Sequence, residues 1–346
     1  MRKIIILLLL MPLLVFSVSG EEFTAPAPPD SVADLVPAQT ESFGKDLWKV
    51  FLSALEAAQP EMVGSAKACL GIVGILLLVS ILGQIPGQNP WVLEFGAGIG
   101  IAVLLLGRSG SMIRLASETV EELNAYGKLM LPVLTAALSA QGGITSAAAL
   151  YAGTVALDAV LSSLICNILV PAVYVYLALS IAQAVTNNET LGRLSGLIKW
   201  FGSWSLKTLL YIFTGYLGIT GVVSTTADAA TLKATKLSIA GVVPVVGGIL
   251  SDASEAVLLG AGVVKSSIGI YGLLVTGALW VGPFLRIGVL YLLLKVSAGI
   301  CAGFSLKGPG KLVQCFGNAM GLLLAMIGTM SMLQLISTVC FMKGVG

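Results

Sequence analysis

The sequence predicts an all-α, polytopic helical membrane protein with a tandem duplicated bundle, carrying about 8–10 membrane segments after a signal peptide. Hydrophobic residues make up 57% of the chain and charged residues only 10%, whereas soluble domains carry about 45–50% and 25%. Apolar runs of about 20 residues recur, which is the length that crosses a bilayer as a helix. A membrane β-barrel would need period-two alternation, and the sequence lacks it.

The duplication is visible as two proline motifs. Pro132 and Pro244 stand in matching contexts, L-P-V-L and V-P-V-V, 112 residues apart. A further proline follows each after 39 residues, at Pro171 and Pro283. Because both copies are apolar nearly throughout, we expect two membrane repeats related by a pseudo-symmetry axis, where transport proteins place their pathways.

The residue inventory excludes several kinds of chemistry. Histidine is absent, which removes the commonest general base and metal ligand. There is no phosphate-binding loop motif and no C-x-x-C pair. The net charge is only +2 and the basic residues are scattered, which is not the pattern of a nucleic-acid-binding protein. The sequence therefore predicts a chain that is not an enzyme, with no catalytic, cofactor-binding or metal-binding residues, no nucleic-acid partner, and the lipid bilayer as its surroundings.

The N-terminal part predicts export. Residues 1–20 have the layout of a signal peptide: two basic residues, an apolar run and small residues before a cut. We expect cleavage after Gly20, and an uncleaved anchor is the alternative. Residues 21–65 are then extracytoplasmic, comprising a flexible Pro- and Ala-rich linker and an amphipathic helix over 42–59 that Pro60 ends. That helix either docks on the membrane face or a partner, or packs against the protein's own spans.

Residues 66–127 predict a transmembrane hairpin followed by an amphipathic helix. The two spans are 66–84 and 91–107, separated by a Pro- and Gly-containing turn. Residues 108–127 carry an apolar stripe at helical spacing with glutamates opposite it. This stretch is either a docking stripe or a surface helix, and counting spans from an exported N-terminus places it outside the cytoplasm.

The two repeats, residues 128–235 and 236–346, each hold four hydrophobic segments. The first segments, 129–141 and 237–250, are only about 13 residues long, near 20 Å of helix, which is short for a hydrocarbon core of about 30 Å. Each repeat also has a basic stretch, with Arg193 and Lys199 in the first and Lys307 and Lys311 in the second. If the short segments cross, the repeats are parallel and both basic stretches face the cytoplasm, as the positive-inside tendency favours. If they are re-entrant, the repeats are inverted. The other segments of the first repeat are 144–164, 167–186 and 204–223.

The four repeated prolines are candidate helix kinks or re-entrant breaks, because proline removes a backbone donor and bends a helix. They are Pro132, Pro171, Pro244 and Pro283. One interpretation is broken helices that line a cavity or act as a hinge. The other is inherited kinks that serve packing.

Asp158 and Lys265 form a candidate intramembrane ion pair. They lie in equivalent helices of the two repeats, five positions out of register, which is about 7 Å of helical rise. Ionisable groups inside spans point to a site because their burial in lipid is costly. The alternative is that each faces a polar cavity or lipid headgroups alone. No carboxylate cluster typical of a proton or cation relay is present.

Three stretches of the sequence carry a family resemblance. They are Leu194-Ser195-Gly196-Leu197-Ile198-Lys199-Trp200, Gly218-Ile219-Thr220-Gly221 and Val243-Pro244-Val245-Val246-Gly247-Gly248. Together with the export signal and the short extracytoplasmic segment, they closely resemble the stage III sporulation protein AE family of endospore-forming Firmicutes. The likeness covers nearly the whole chain, although no single short motif is diagnostic.

The resemblance implies a multi-pass protein of the mother-cell membrane that surrounds the forespore. It implies a subunit of a secretion-like channel complex needed for endospore formation and late forespore gene expression. The implied partners are ring-forming proteins of the intermembrane space, a cytoplasmic ATPase and other membrane subunits. An autonomous secondary transporter for a small solute is the alternative function.

Overall fold

The structure is a computed structural model that describes residues 25–36, 43–87, 89–140, 144–186, 188–219, 267–303 and 307–343. Within these ranges every regular element is helical, so the predicted all-α fold is confirmed. The predicted signal peptide and two of the candidate residues, Pro244 and Lys265, lie outside the described residues.

Seven α-helices and one π-helical turn make up the described bundle. They are α1 (Phe43–Leu82), α2 (Pro90–Ala140), α3 (Ile144–Leu164), the π-turn (Ile165–Leu169), α4 (Val170–Thr186), α5 (Glu189–Ile219), α6 (Ser267–Gly303) and α7 (Lys307–Lys343).

Asparagine caps begin two of the helices. The Asn89 side-chain oxygen accepts a hydrogen bond from the Trp91 backbone N–H at 3.1 Å, and Pro90 takes the first helical position. Asn188 accepts from the Thr190 N–H at 2.9 Å. These caps satisfy backbone donors that have no partner within their own helix, so they fix where α2 and α5 start.

The predicted helix end at Pro60 is wrong, because α1 runs through it. Proline removes the hydrogen bond to the carbonyl four residues earlier, and neighbouring helices can compensate for such a loss. Here Arg286 of α6 donates from Nη2 to the Ala57 carbonyl at 3.4 Å, in the turn before the proline. The carbonyl that loses its donor is that of Glu56, so this contact with α6 lies one residue further along the same weakened turn.

The predicted segment 129–141 is not separate, because α2 extends from residue 90 to residue 140 and includes Pro132. Neither a short span nor a re-entrant loop forms at 129–140. The physical reason is an unbroken stripe of buried side chains along α2 at three- and four-residue spacing. Its members include Ile101, Leu105, Met112, Ile113, Ala116, Val120, Leu123, Tyr126, Met130, Leu134 and Leu138.

The two predicted segments 144–164 and 167–186 also join, through the π-turn between α3 and α4. The Val170 N–H bonds to the Ile165 carbonyl, five residues back, immediately before Pro171. A π-turn is a recognised way for a helix to deviate locally from α-geometry. Of the candidate kink residues, Pro171 therefore adjoins such a deviation, whereas Pro132 and Pro283 lie inside uninterrupted α-helices.

The predicted flexible linker is ordered over residues 25–36. Val32 and Val36 are buried in the main core, and Ser31 Oγ donates to the Glu122 carboxylate of α2 at 2.9 Å. Two valines four positions apart anchor a turn on the bundle because burying them removes apolar surface from water. This segment therefore lies against α2, beside the stretch predicted to share its side of the membrane.

Joining the predicted segments leaves fewer and longer helices than the sequence suggests. Five helices in the described part of the chain are long and apolar enough to cross a membrane. Their ranges are Phe43–Leu82, Trp91–Leu138, Ala147–Thr186, Ile268–Gly303 and Gly308–Met342. The tandem duplication stays a prediction, because residues 220–266, which include the end of the first repeat and the start of the second, lie outside the described ranges. The predicted domain divisions at 65/66 and 127/128 fall inside α1 and α2.

Helix α7 is the central helix of the bundle. In its apolar window 89% of the residues are buried, against 28–39% in the other four candidate spans. It contacts α2, α3, α4, α5 and α6, while α1 packs outside against α6 and α2. A helix that is apolar on all sides and covered on all sides forms the core around which the rest assembles.

The helices alternate in direction, so the bundle has two ends. At one end Glu94 and Ala184 lie beside Gly308, which brings together the start of α2, the end of α4 and the start of α7. We call this the basic end, because the lysines and arginine that begin α5 and α7 are near it. At the opposite end, the Tyr216 hydroxyl of α5 donates to the Ala149 carbonyl of α3.

Candidate functional site

A buried carboxylate in the interior of the bundle is the centre of the candidate site. Asp158 lies on α3 and is only 2% exposed. Its Oδ2 accepts a hydrogen bond from Gln334 Nε2 of the central helix at 3.2 Å. The same Gln334 nitrogen donates to the Leu123 carbonyl of α2 at 2.6 Å. One amide group thus connects three helices.

A small cavity opens beside this carboxylate and has room for about one water-sized particle. Hydroxyl side chains from four helices line it together with Asp158 and Gln334. These hydroxyl residues are Tyr126 of α2, Thr154 of α3, Thr276 of α6, and Ser337 and Thr338 of α7. Polar side chains from four helices therefore converge on a cavity whose wall is otherwise apolar and includes Met130 and Leu131.

Two oxygen atoms of the cavity have no hydrogen-bond partner among the described residues. They are Asp158 Oδ1 and Thr154 Oγ1, and both side chains are at most 2% exposed. The two residues are four positions apart on α3 and so occupy one face of the helix. A buried polar group without a partner costs about 1–3 kcal/mol, and such groups in folded proteins call for a physical explanation.

The other lining hydroxyls are oriented by the backbone of α7. Ser337 Oγ donates to the Leu333 carbonyl at 2.6 Å, and Thr338 Oγ1 donates to the Gln334 carbonyl at 2.9 Å. Because each hydrogen is used inside the helix, the hydroxyl oxygens keep their lone pairs for an acceptor role. The polar part of the cavity wall consequently offers mainly oxygen acceptors.

Close approach of α2 to this cluster depends on Gly127. A Cβ atom at this position would collide with the Gln334 amide and lie 3.0 Å from Asp158 Oδ2. Only a residue without a side chain leaves space for the amide to reach both of its acceptors. Gly127, Thr154 and Gln334 carry no sequence motif that marks them as site residues. Ser337 and Thr338 lie three and four positions after Gln334 on an otherwise apolar helix. This spacing is the sequence pattern that indicates the polar face of α7 at the site.

The predicted Asp158–Lys265 pair stays a prediction, because Lys265 lies outside the described residues. Within them, no lysine or arginine forms an ion pair with Asp158. Of the other charged groups inside spans, Arg286 donates to the α1 backbone and Lys295 donates to Asn318 Oδ1 at 3.1 Å. Both therefore have structural partners away from Asp158.

A second cavity lies at the basic end, and its lining residues include Gln183, Glu189 and Lys311. Lys295 lies in the same half of the bundle, with its ammonium group 5.6 Å from the Tyr291 ring centroid. In the described ranges, no group of three or more Cys, Asp or Glu residues is placed to hold a metal ion.

Comparison with known proteins identifies the family. No solved structure matches this chain. A similar protein is the stage III sporulation protein AE of Bacillus subtilis (strain 168), which is 25% identical over 215 residues. That match covers 62% of this chain and 53% of the relative, so the chain spans about half the length of the relative it matches. The family model described as stage III sporulation protein AE matches residues 46–344, and the chain therefore belongs to the stage III sporulation protein AE family.

Proposed function

We propose that this chain is a non-enzymatic integral membrane component of the secretion-like channel complex between mother cell and forespore, required for endospore formation and late forespore gene expression. Membership of a sporulation family supports a role in sporulation. The apolar helices support residence in a membrane, which we propose is the mother-cell membrane around the forespore. Its partners would be ring-forming proteins of the intermembrane space, a cytoplasmic ATPase and other membrane subunits.

The main support for a role as an assembly platform, and not as a conduit, is that α7 occupies the axis of the bundle. Its apolar window is 89% buried, so helix packing occupies the position where a single-chain conduit would run. Close packing of this kind suits a scaffold that holds partners in place. It gives less support to the autonomous transporter, which would bind a solute near the middle of the bundle.

The proposed orientation places the basic end in the cytoplasm. Arg193 and Lys199 at the start of α5, and Lys307 and Lys311 at the start of α7, all belong to that end. Excess positive charge on cytoplasmic connections supports this orientation. The opposite end, with residues 25–36, would then face the intermembrane space, as an exported N-terminus requires.

The middle of α2 is the proposed docking surface for ring-forming partners. Arg114 and Glu118 form an exposed ion pair at 3.7 Å, and Glu121 is exposed beside them. An exposed ion pair contributes at most about 1 kcal/mol to stability, so these charges can be altered without unfolding the bundle. The exposed side of α1 over residues 43–59 would extend the same surface, where Trp48 stacks on Phe51 at 5.5 Å.

Co-purification with reconstitution tests the proposal. The solubilised chain should recover the other channel proteins, and the double variant Glu118→Lys/Glu121→Lys should reduce their recovery about tenfold by reversing the surface charge. Arg193→Glu, an exposed change at the basic end, is the matched control and should leave recovery of the ring-forming proteins unchanged.

Solute uptake by liposomes that contain only this chain would contradict the platform role and favour the transporter.

A further inference from the structure

We propose that the cavity beside Asp158 is a binding site for a monovalent alkali cation, with sodium as the fitting ion. The proposal does not depend on the channel assembly, since it concerns the interior of the single chain. It begins from the two buried oxygens without described partners, Asp158 Oδ1 and Thr154 Oγ1. Buried charges in proteins are paired or bind metal ions. No described lysine or arginine forms a salt bridge with this carboxylate, and Lys128 acts on it only from more than 4 Å away.

The donor set selects the chemical class of the ligand. The cavity offers one carboxylate and several hydroxyl oxygens, which are hard ligands suited to hard cations. Transition metals favour imidazole or thiolate ligands, and neither is among the lining residues. Calcium sites in proteins collect several charged or carbonyl oxygens, and magnesium keeps several waters. A single carboxylate balances one positive charge, so a monovalent ion fits the charge of the site.

The size of the cavity points the same way. The room for about one water-sized particle suits a dehydrated sodium ion and excludes an organic solute. The ion would contact Asp158 and Thr154 of α3 and lie against Thr276 of α6 and Ser337 of α7. Sodium would thereby connect α3, α6 and α7 at this point.

Thermal unfolding of the full chain in detergent tests the site. Melting is compared in chloride salts of sodium, potassium and N-methyl-D-glucamine at equal ionic strength. Sodium should raise Tm by about 2–5 °C over N-methyl-D-glucamine, with saturation, because a ligand that binds only the folded state stabilises it. Binding of radioactive sodium should reach one ion per chain.

Three variants make the test specific. Asp158→Asn should abolish both the sodium-dependent shift and the binding of radioactive sodium. Thr154→Val should reduce both, yet be at least as stable as the parent without sodium, because it removes a hydroxyl that lacks a partner. This second variant keeps the test decisive if Asp158→Asn does not fold. Ser109→Ala is the matched control, since Ser109 Oγ is also buried without a described partner but lies outside the cavity, and it should keep the full shift.

Several results would overturn the proposal. The parent protein could melt at the same temperature in all three salts, or Asp158→Asn could keep the sodium-dependent shift. Stability that changes with pH and not with sodium would show that the carboxyl binds a proton instead. An equal loss of the shift in Ser109→Ala would show that sodium acts on the bundle as a whole.

Discussion

At the scale of single residues, the interior of this protein is specified by a few polar groups in apolar helices. Gln334 uses one nitrogen to reach the Asp158 carboxylate and the Leu123 carbonyl, which a buried amide can do only if nothing separates the helices. Gly127 provides that space. The cluster therefore depends on the lack of a side chain at Gly127 as much as on the polar side chains themselves.

Gly127→Ala should destabilise the protein by about 1–3 kcal/mol, because the added methyl group displaces the Gln334 amide from its acceptors. Gly110→Ala on the same helix is the control, since a Cβ there meets nothing within 4 Å. Alanine favours helix over glycine by up to about 1 kcal/mol, so the control should be neutral or stabilising. Thermal unfolding in detergent measures both. Equal shifts for the two variants would contradict the packing role of Gly127.

At the scale of helices, continuity is decided by neighbours as well as by local sequence. Pro60 has the sequence context of a helix end, yet α1 passes through it alongside α6. Pro171 follows a π-turn, whereas Pro283, its counterpart in the predicted repeat, lies within an uninterrupted α-helix. The same residue type thus has different local structures, because the helices packed around it differ.

Pro60→Ala should stabilise the protein by about 1–3 kcal/mol, since it restores a backbone donor inside a continuous helix. Pro90→Ala is the control, because proline at the first helical position costs the helix no hydrogen bond, and its effect should be near zero. Thermal melting or denaturant titration in detergent distinguishes the two. A neutral Pro60→Ala would indicate that α1 ends at residue 60, as the sequence pattern alone suggests.

At the scale of the whole molecule, α2 is long enough to have one part in the membrane and another part outside it. Its 51 residues extend about 76 Å, far more than the hydrocarbon thickness of about 30 Å. Large exposed apolar side chains occupy its first part, including Trp91, Ile99 and Val103. The exposed charges Arg114 and Glu118 occupy the next part. Helix α2 is therefore long enough to extend beyond the hydrocarbon core at the opposite end, as the proposed orientation requires.

Cysteine accessibility tests this arrangement. In a chain whose native cysteines are replaced, Ile85→Cys in the turn before α2 and Leu129→Cys near its far end are both exposed positions. A membrane-impermeant maleimide should label the two from opposite sides of the membrane, with Leu129→Cys on the outer side. Labelling of both positions from the same side would contradict a single crossing by α2. It would favour the sequence-based prediction of a separate short segment at 129–141.

The sequence by itself determined the class of the protein. Its apolar content and the absence of histidine predicted a helical membrane protein without histidine chemistry, because these properties follow from composition. It also identified Asp158 as a residue of interest, since a carboxylate in an apolar helix is conspicuous without any coordinates. The segments 194–200 and 218–221 carried the family resemblance, which the comparison then confirmed.

Only the tertiary structure decided where helices continue, which helix is central and what Asp158 contacts. Hydrophobic periodicity records which residues avoid water, and it does so equally for a side chain facing lipid and one facing another helix. It therefore could not distinguish α7, which is enclosed, from α1, which is largely exposed. Gln334 lies 176 residues from Asp158 in the chain, and no local pattern encodes such a contact. It forms because α7 fills the axis and Gly127 leaves room beside it.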